Sequence, residues 1–370
     1  MGNWKTCTIA DLGTVVGGAT PSTKKSENYD GGTIAWITPK DLAEFSGRFI
    51  SHGERSITQT GFNSCSAQMM PKHTVLFSSR APIGYVAIAE NDVCTNQGFK
   101  SVVPNENTDY MFLYYLLLNN RENIEHMGSG TTFKEVSGKT MRSIQVRVPE
   151  SKEEQIRISS MLSVIDDKIE ENERINKNLA QQAQAIYADI FITNADPTWP
   201  LGHLSDLITV RYGKDHKKLD DGSFPVYGSG GVMRYVERPI YEKESVLIPR
   251  KGTLNNVMYV NEPFWSVDTM FFTEMKFPDV AKFVFHFVKS KNLAFLNAGS
   301  AVPSMTTDIL NAMELCIPDA ETLHRFESTV GPMYRAMKHN SEESKKLAAV
   351  RDTLLPRLIS GELDVSELDI

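Results

Sequence analysis

The sequence predicts an α+β protein in which two mixed α/β globular units, related by pseudo-twofold symmetry, are separated by two long helices packed as an antiparallel coiled coil. Three observations predict it. The chain repeats itself, two long polar stretches carry apolar residues at heptad spacing, and short β-favouring runs alternate with Gly, Ser, Thr and Asn loops.

The repeat begins with Trp4-x4-Ile9-Ala10-Asp11-Leu12, which returns as Trp199-x4-Leu204-Ser205-Asp206-Leu207, 195 positions later. Val75-Leu76-Phe77-Ser78-Ser79-Arg80 is matched by Val246-Leu247-Ile248-Pro249-Arg250, which suggests that Arg80 and Arg250 are equivalent. The stretch from Gly130 to Pro149 returns between Gly299 and Pro318 at an offset of 169, so the second copy lacks about 26 residues. The plan divides the chain into a first globular unit (residues 1–150), a first helical segment (151–193), a second globular unit (194–318) and a second helical segment with the C-terminal tail (319–370).

The first helical segment places Ile158, Leu162, Ile165, Ile169, Asn172, Asn176, Leu179, Ala183, Ile186 and Ile190 on one seam. The second places Phe326, Val330, Met333, Met337, Asn340, Ser344, Leu347, Arg351, Leu354 and Leu358 there, each 168 positions after its counterpart. Heptads sustained this long belong to helices that pack along their length, and about 38 helical residues span roughly 57 Å. An antiparallel pairing brings Asn172 and Asn176 opposite Asn340 and Ser344, a polar layer that fixes register because a slipped pairing buries amides without partners. Gly331-Pro332 predicts a kink or a fresh helix start, since an interior proline removes a backbone bond.

In the globular units, strands are expected at residues 33–37, 74–77, 85–89, 143–148, 245–248, 256–260 and 312–317, and helices at 109–120 and 280–289. Gly228-Ser229-Gly230-Gly231 reads as a tight turn, because it does not match a phosphate-cradling pattern.

Composition excludes several classes. The 370 residues are 41% hydrophobic and 23% charged, which is globular rather than disordered. The longest apolar run, residues 110–118, is about half a bilayer span. No charged-then-apolar leader opens the chain, and the four scattered cysteines suggest a reducing compartment, so a soluble, cytoplasmic protein is expected. There is no G-x-x-x-x-G-K-[ST] loop, no H-E-x-x-H, no metal-ligand spacing among the eight histidines and no adenine-methyltransferase motif. A non-catalytic chain without metal or cofactor of its own is the expectation.

The net charge is −7, from 39 Lys and Arg against 46 Asp and Glu. Residues 1–150 are neutral and 194–318 carry −1, whereas each helical segment carries −3. This balance disfavours a free-standing, tight DNA binder, but not a unit that reads bases while a partner grips the backbone. Basic, amide and hydroxyl residues nevertheless cluster on loops. The first unit offers Thr20, Ser22, Lys24, Lys25, Lys40, Arg80, Asn96, Gln97, Ser129, Thr131, Thr132 and Lys134. The second offers Arg211, Tyr212, Lys214, His216, Lys217, Tyr227, Ser229, Arg250, Lys251, Thr253, Asn255 and Ser300. Arg and Lys suit guanine edges, Asn and Gln suit adenine, and hydroxyls suit phosphates; any one of them also serves as an ordinary solvated turn.

Four segments resemble a known family. Gly17-Gly18-Ala19-Thr20-Pro21-Ser22 with Trp36-Ile37-Thr38-Pro39-Lys40-Asp41-Leu42, Gly128-Ser129-Gly130-Thr131-Thr132, and Leu354-Leu355-Pro356-Arg357-Leu358-Ile359-Ser360-Gly361-Glu362-Leu363 are similar to the DNA-specificity subunit of type I restriction-modification systems. The second unit departs over residues 211–227, where only a Gly-rich remnant persists. The resemblance implies two target-recognition domains, each reading half of a split double-stranded DNA sequence. It implies helices that hold the halves apart, near one duplex turn of about 34 Å, and dock two methyltransferase subunits. It also implies that S-adenosylmethionine, ATP and Mg belong to partner subunits, the latter two to restriction subunits where these exist. Two other readings stay open: a recognition module of a methylation-only system, and a coiled-coil scaffold whose globular ends bind protein or glycan.

Overall fold

The computed structural model describes residues 3–43, 45–130, 134–296 and 304–365. The chain forms two compact units, Met1–Glu173 with Ser341–Ile370, and Arg174–Asn340. Each long helix is therefore shared between them, and the units cut across the four segments that the sequence delimits.

In the first unit, strand Trp4–Thr8 pairs antiparallel with Gln145–Pro149, Trp4 opposite Pro149. The repeated Asp then caps a short helix: the Asp11 carboxylate accepts from the Thr8 N–H at 2.7 Å. A five-stranded sheet follows, in the order Gly13–Gly17, Lys100–Pro104, Val75–Ser79, Ile83–Ala89 and Phe49–Ile50. Beside it runs a three-stranded sheet, Ser56–Ile57, Ile34–Ile37 and Cys94–Thr95, whose last pair is parallel. Helix Tyr110–Asn119 is buried over six consecutive residues from Phe112 to Leu117. It closes the core with Ile158, Leu162, Leu355 and Leu358 of the long helices. Burying each such aliphatic side chain stabilises the fold by roughly 1.5–3 kcal/mol.

The second unit repeats this plan with fewer strands. Leu201–His203 pairs antiparallel with Glu314–Cys316, and Asp206 accepts from the His203 N–H at 2.7 Å, as Asp11 does from Thr8. A four-stranded sheet runs Ile208–Tyr212, Met270–Met275, Ser245–Pro249 and Met258–Val260, and a three-stranded one Gly231–Val236, Asp221–Gly228 and Trp265–Ser266. Gly228-Ser229-Gly230-Gly231 makes the hairpin turn, with Gly231 at φ +112°. Helix Ala281–Ser290 takes the place of Tyr110–Asn119, packing Phe283 and Val284 with Tyr187 and Phe326. Ends differ from the sequence expectation where capping intervenes. Ser143 closes helix Gly138–Ser143 rather than opening a strand, and Asn256 lies in a turn ahead of Met258–Val260.

The long helices are Lys152–Ala188, continued by a π-helical turn at Asp189–Thr193, and Ala320–Ile359. All twenty seam positions are buried or half-buried. Within the first unit, Asp166 meets Arg351 at 2.7 Å and Asn172 meets Ser344 at 3.2 Å. Within the second, Asn340 donates to Asn176 at 2.9 Å, and the rings of Tyr187 and Phe326 lie 6.2 Å apart. Partner numbers fall as residue numbers rise, so the helices run antiparallel in each unit. A fresh helix start at Gly331-Pro332 does not occur: Ala320–Ile359 is one element. Buried Phe326 and Val330 sit just ahead of the proline, and their packing offsets the lost backbone bond.

Further polar nodes tie the helices to the units. The Tyr115 hydroxyl donates to Asp166 at 2.6 Å, beside the Arg351 contact. In the second unit the His286 ring bonds Gln184 at 2.8 Å and the Tyr334 hydroxyl at 2.9 Å. Arg48, whose side chain is 5 % exposed, pairs with Glu170 at 2.8 Å and with Asp167. Burial works against its charge, but the bonds to Glu170 and Asp167 outweigh it and raise its pKa.

Candidate nucleic-acid interface

One end of the five-stranded sheet gathers half of the first unit's candidates. It is where Gly13–Gly17 ends, Lys100–Pro104 begins and Val75–Ser79 ends. The Ala19 N–H donates to the Thr95 carbonyl at 2.9 Å, the Thr20 hydroxyl to Gln97 Oε1, and the Ser79 N–H to the Gly98 carbonyl at 2.7 Å. Asn96 Oδ1 caps the same turn by accepting from the Gly98 N–H at 2.8 Å. Gly18 has to be glycine, since a Cβ there would stand 2.1 Å from the Thr95 carbonyl oxygen. The Val136 N–H donates to the Ser79 carbonyl at 3.0 Å. That bond brings Glu135 to Arg80 (3.5 Å) and Lys100 (3.2 Å). Ser129 is held by reciprocal backbone bonds with Glu135 at 3.1 and 3.0 Å, and Lys134 is exposed.

Other candidates of this unit make different contacts. Ser22 turns the chain by accepting from the Asn28 side-chain amide at 2.9 Å. Lys24 and Lys25 are exposed, Lys25 3.7 Å from Glu27. Lys40 pairs with Glu54 at 2.8 Å, beside an open depression of about 480 Å³ lined by Phe45, Phe49 and His52. Thr131, Thr132 and Ser300 lie outside the described residues.

The second unit builds the same sheet end. The Gly213 N–H donates to the Met270 carbonyl at 3.0 Å and the Lys214 N–H to the Ser266 carbonyl at 2.8 Å. A Cβ on Gly213 would stand 2.0 Å from the Val267 carbonyl oxygen, so Gly213 answers to Gly18. The Arg250 N–H donates to the Thr269 carbonyl at 2.9 Å and the Met305 N–H to the Arg250 carbonyl at 2.9 Å. These bonds repeat those of Ser79. Arg250 is thus in register with Ser79, and Arg80 with Lys251, which corrects the pairing of the two arginines. Strand register agrees: Ser78 bridges Phe99 where Pro249 faces Met270.

Arg250 lies over the half-exposed Tyr212 ring at 5.4 Å, and that ring stands edge-on to Phe271 at 5.0 Å. The pair joins a cation to a flat aromatic face, a surface suited to stacking on bases. Lys251 is exposed, and Ser229 abuts Gly252, whose Cβ would stand 2.8 Å from its hydroxyl. Lys214 and Lys217 are exposed, His216 is half-buried, and Arg211 pairs with Glu274 at 3.0 Å. Thr253 accepts through its carbonyl from the Asn256 N–H at 3.0 Å, while the Asn255 amide donates to Asn292 at 3.2 Å. Tyr227 corrects the loop reading. It lies in strand Asp221–Gly228, its hydroxyl donates to Glu262 at 3.0 Å, and burial raises its pKa, so it is a packing residue.

A tryptophan locks each site from a different strand. The Trp36 indole N–H donates to the Ala19 carbonyl at 3.1 Å, and that of Trp265 to the Lys214 carbonyl at 2.9 Å. Both belong to a two-strand parallel ladder, but Trp36 sits on the strand equivalent to Val226 and Trp265 on the one equivalent to Cys94. Sequence reasoning missed Lys100 and Glu135. The signal was available: Lys100 follows the Asn96-Gln97-Gly98 turn, and Glu135 follows the Gly128–Lys134 loop directly.

Known proteins resemble this chain. The type I restriction modification DNA specificity domain family matches residues 1–181 and 198–331. The MjaIX specificity subunit of a type I restriction enzyme from Methanocaldococcus jannaschii is 30% identical over 99% of this chain and 95% of its own length. The EcoR124I/EcoR124II specificity subunit from Escherichia coli is 25% identical over 52% of this chain and 49% of its own. Among solved structures, a type I restriction-modification system S subunit from M. genitalium aligns over 96% of both chains, with a TM-score of 0.62 at 18% identity, and so shares the fold. These matches do not favour the scaffold reading. With residues 1–181 and 198–331 matched, the chain belongs to the type I restriction-modification DNA specificity family.

Proposed function

We propose that this subunit reads a bipartite target in double-stranded DNA, one half with each sheet end, and directs adenine-N6 methyltransferase subunits to it. One observation carries the reading: the two units build the same sheet end and place Arg80 or Lys251 at equivalent positions beside it. Arg and Lys there suit guanine edges and phosphates, and the Thr20, Asn96 and Gln97 groups suit adenine and backbone oxygens. The chain contributes selection rather than catalysis. S-adenosylmethionine is bound by two methyltransferase subunits, and ATP and Mg by restriction subunits where the system has them. The acidic helices offer the docking surface for the methyltransferases, and the compartment is the cytoplasm. The Asn172–Ser344 and Asn176–Asn340 contacts fix helix register and thereby the gap between half-sites. Sequencing of modified adenines in cells with and without the gene tests the reading. A split motif that loses methylation on deletion supports it; an unchanged methylome removes it.

A further inference from the structure

The two sheet ends differ in a way that their shared backbone does not require. In the first unit, Arg80 NH1 and Lys100 Nζ face opposite oxygens of Glu135 at 3.5 and 3.2 Å. Glu135 is held in place, because its backbone is bonded both ways to Ser129, and its side chain remains 36% exposed. By the register above, the second unit has Lys251, Phe271 and Ser304 at the corresponding positions. Among the described residues, Lys251 has no carboxylate within ion-pair distance.

We propose that Glu135 is a specificity gate of the first unit, holding Arg80 and Lys100 in an ion pair that only a matching half-site exchanges. This rests on the reading that this sheet end faces DNA. Non-specific affinity comes from cations placed on phosphates, each neutralised phosphate adding about 0.9 to the salt slope. While Glu135 occupies both cations, a random duplex gains less from this end and meets a repelling carboxylate. A matching half-site satisfies the carboxylate as well, through a base amino group such as cytosine N4, while Arg80 takes a guanine edge or a phosphate. The second unit lacks this device and grips less selectively. Glu135 thus acts in two ways, through the cations it holds and through its own contact with the base amino group.

The test uses the subunit assembled with its methyltransferase partners, binding a non-target duplex across a salt series. Glu135→Gln keeps the shape and removes the charge. It is expected to tighten non-target binding about tenfold, steepen the salt slope by about one to two, and spread methylation to sites altered in one half only. Ser304→Glu, the reciprocal change, is expected to weaken non-target binding. If Glu135→Gln leaves affinity and slope unchanged, or lowers Tm alone, while Arg80→Ala still weakens target binding, the gate is overturned. If Arg80→Ala and Lys100→Ala also leave target binding intact, the underlying reading of this face falls, and the gate with it.

Discussion

Where the buried helix of the first unit meets the long helices at Tyr115 the node is ionic, whereas the equivalent His286 node of the second unit is neutral, the ion pair there being a separate one, Lys282 with Glu327 at 2.7 Å. Helices Tyr110–Asn119 and Ala281–Ser290 are equivalent at an offset of 171, which places Tyr115 opposite His286. The seam offset of 168 places Asp166 opposite Tyr334. One site therefore holds Tyr115–Asp166–Arg351 and the other His286–Tyr334–Gln184. The same backbone accommodates an ionic node or a neutral one, provided that every buried polar atom finds a partner. The difference teaches that the duplication preserved hydrogen-bond satisfaction rather than residue type, and it makes the two units respond differently to mutation and to pH.

The largest effect is expected from the acid sensitivity of the His286 node in the second unit. Burial, reinforced by the charge of Lys289, lowers the His286 pKa to about 4. The unfolded chain takes up this proton near pH 6.5 while the folded one resists, so the stabilisation is complete above 6.5 and lost as pH falls toward 4. The loss should total about 3 kcal/mol. Hydrogen exchange between pH 7 and 4 should show the second unit opening first, and His286→Gln should flatten that limb. The same decline in both variant and parent would assign it elsewhere.

Next in size is Asp166→Asn. It removes the buried one of the two carboxylates on half-buried Arg351, which keeps Asp352 at 2.8 Å, and should destabilise the first unit by about 2 kcal/mol, against about 1 kcal/mol for Tyr334→Phe in the second. Chemical denaturation of the two variants measures both. Equal losses would erase the distinction between the nodes.

Smaller effects should come from the two tryptophans. Trp36→Phe and Trp265→Phe each remove one indole bond to an equivalent carbonyl, a loss of about 1 kcal/mol apiece. Thermal melts showing only one of them destabilised would mean that the two locks are not interchangeable.

These comparisons also show which features were legible in the sequence. The repeat and the seam could be read because a 3.5-residue period survives divergence: Asn172 and Asn340 face polar partners as the spacing implied. Asp11 and Asp206 were visible as a motif, although their capping role emerges only from the backbone. The parallel pairing of Trp36 with Cys94 was hidden, because it joins segments 58 residues apart with no local signal. Matching arginine to arginine misplaced Arg250 by one position, since residue type is a weaker guide than the carbonyl its amide must reach. Tyr227 looked like a loop residue beside glycines, yet strand alternation turns it toward Phe264.

The central claim is that each unit reads its own half of the target. Mapping modified adenines in cells carrying Arg80→Ala or Lys251→Ala tests it most directly. Relaxed sequence preference in one half for the first variant, and in the other half for the second, with the gap unchanged in both, is the predicted result. Both variants relaxing the same half, or neither relaxing any, would contradict it.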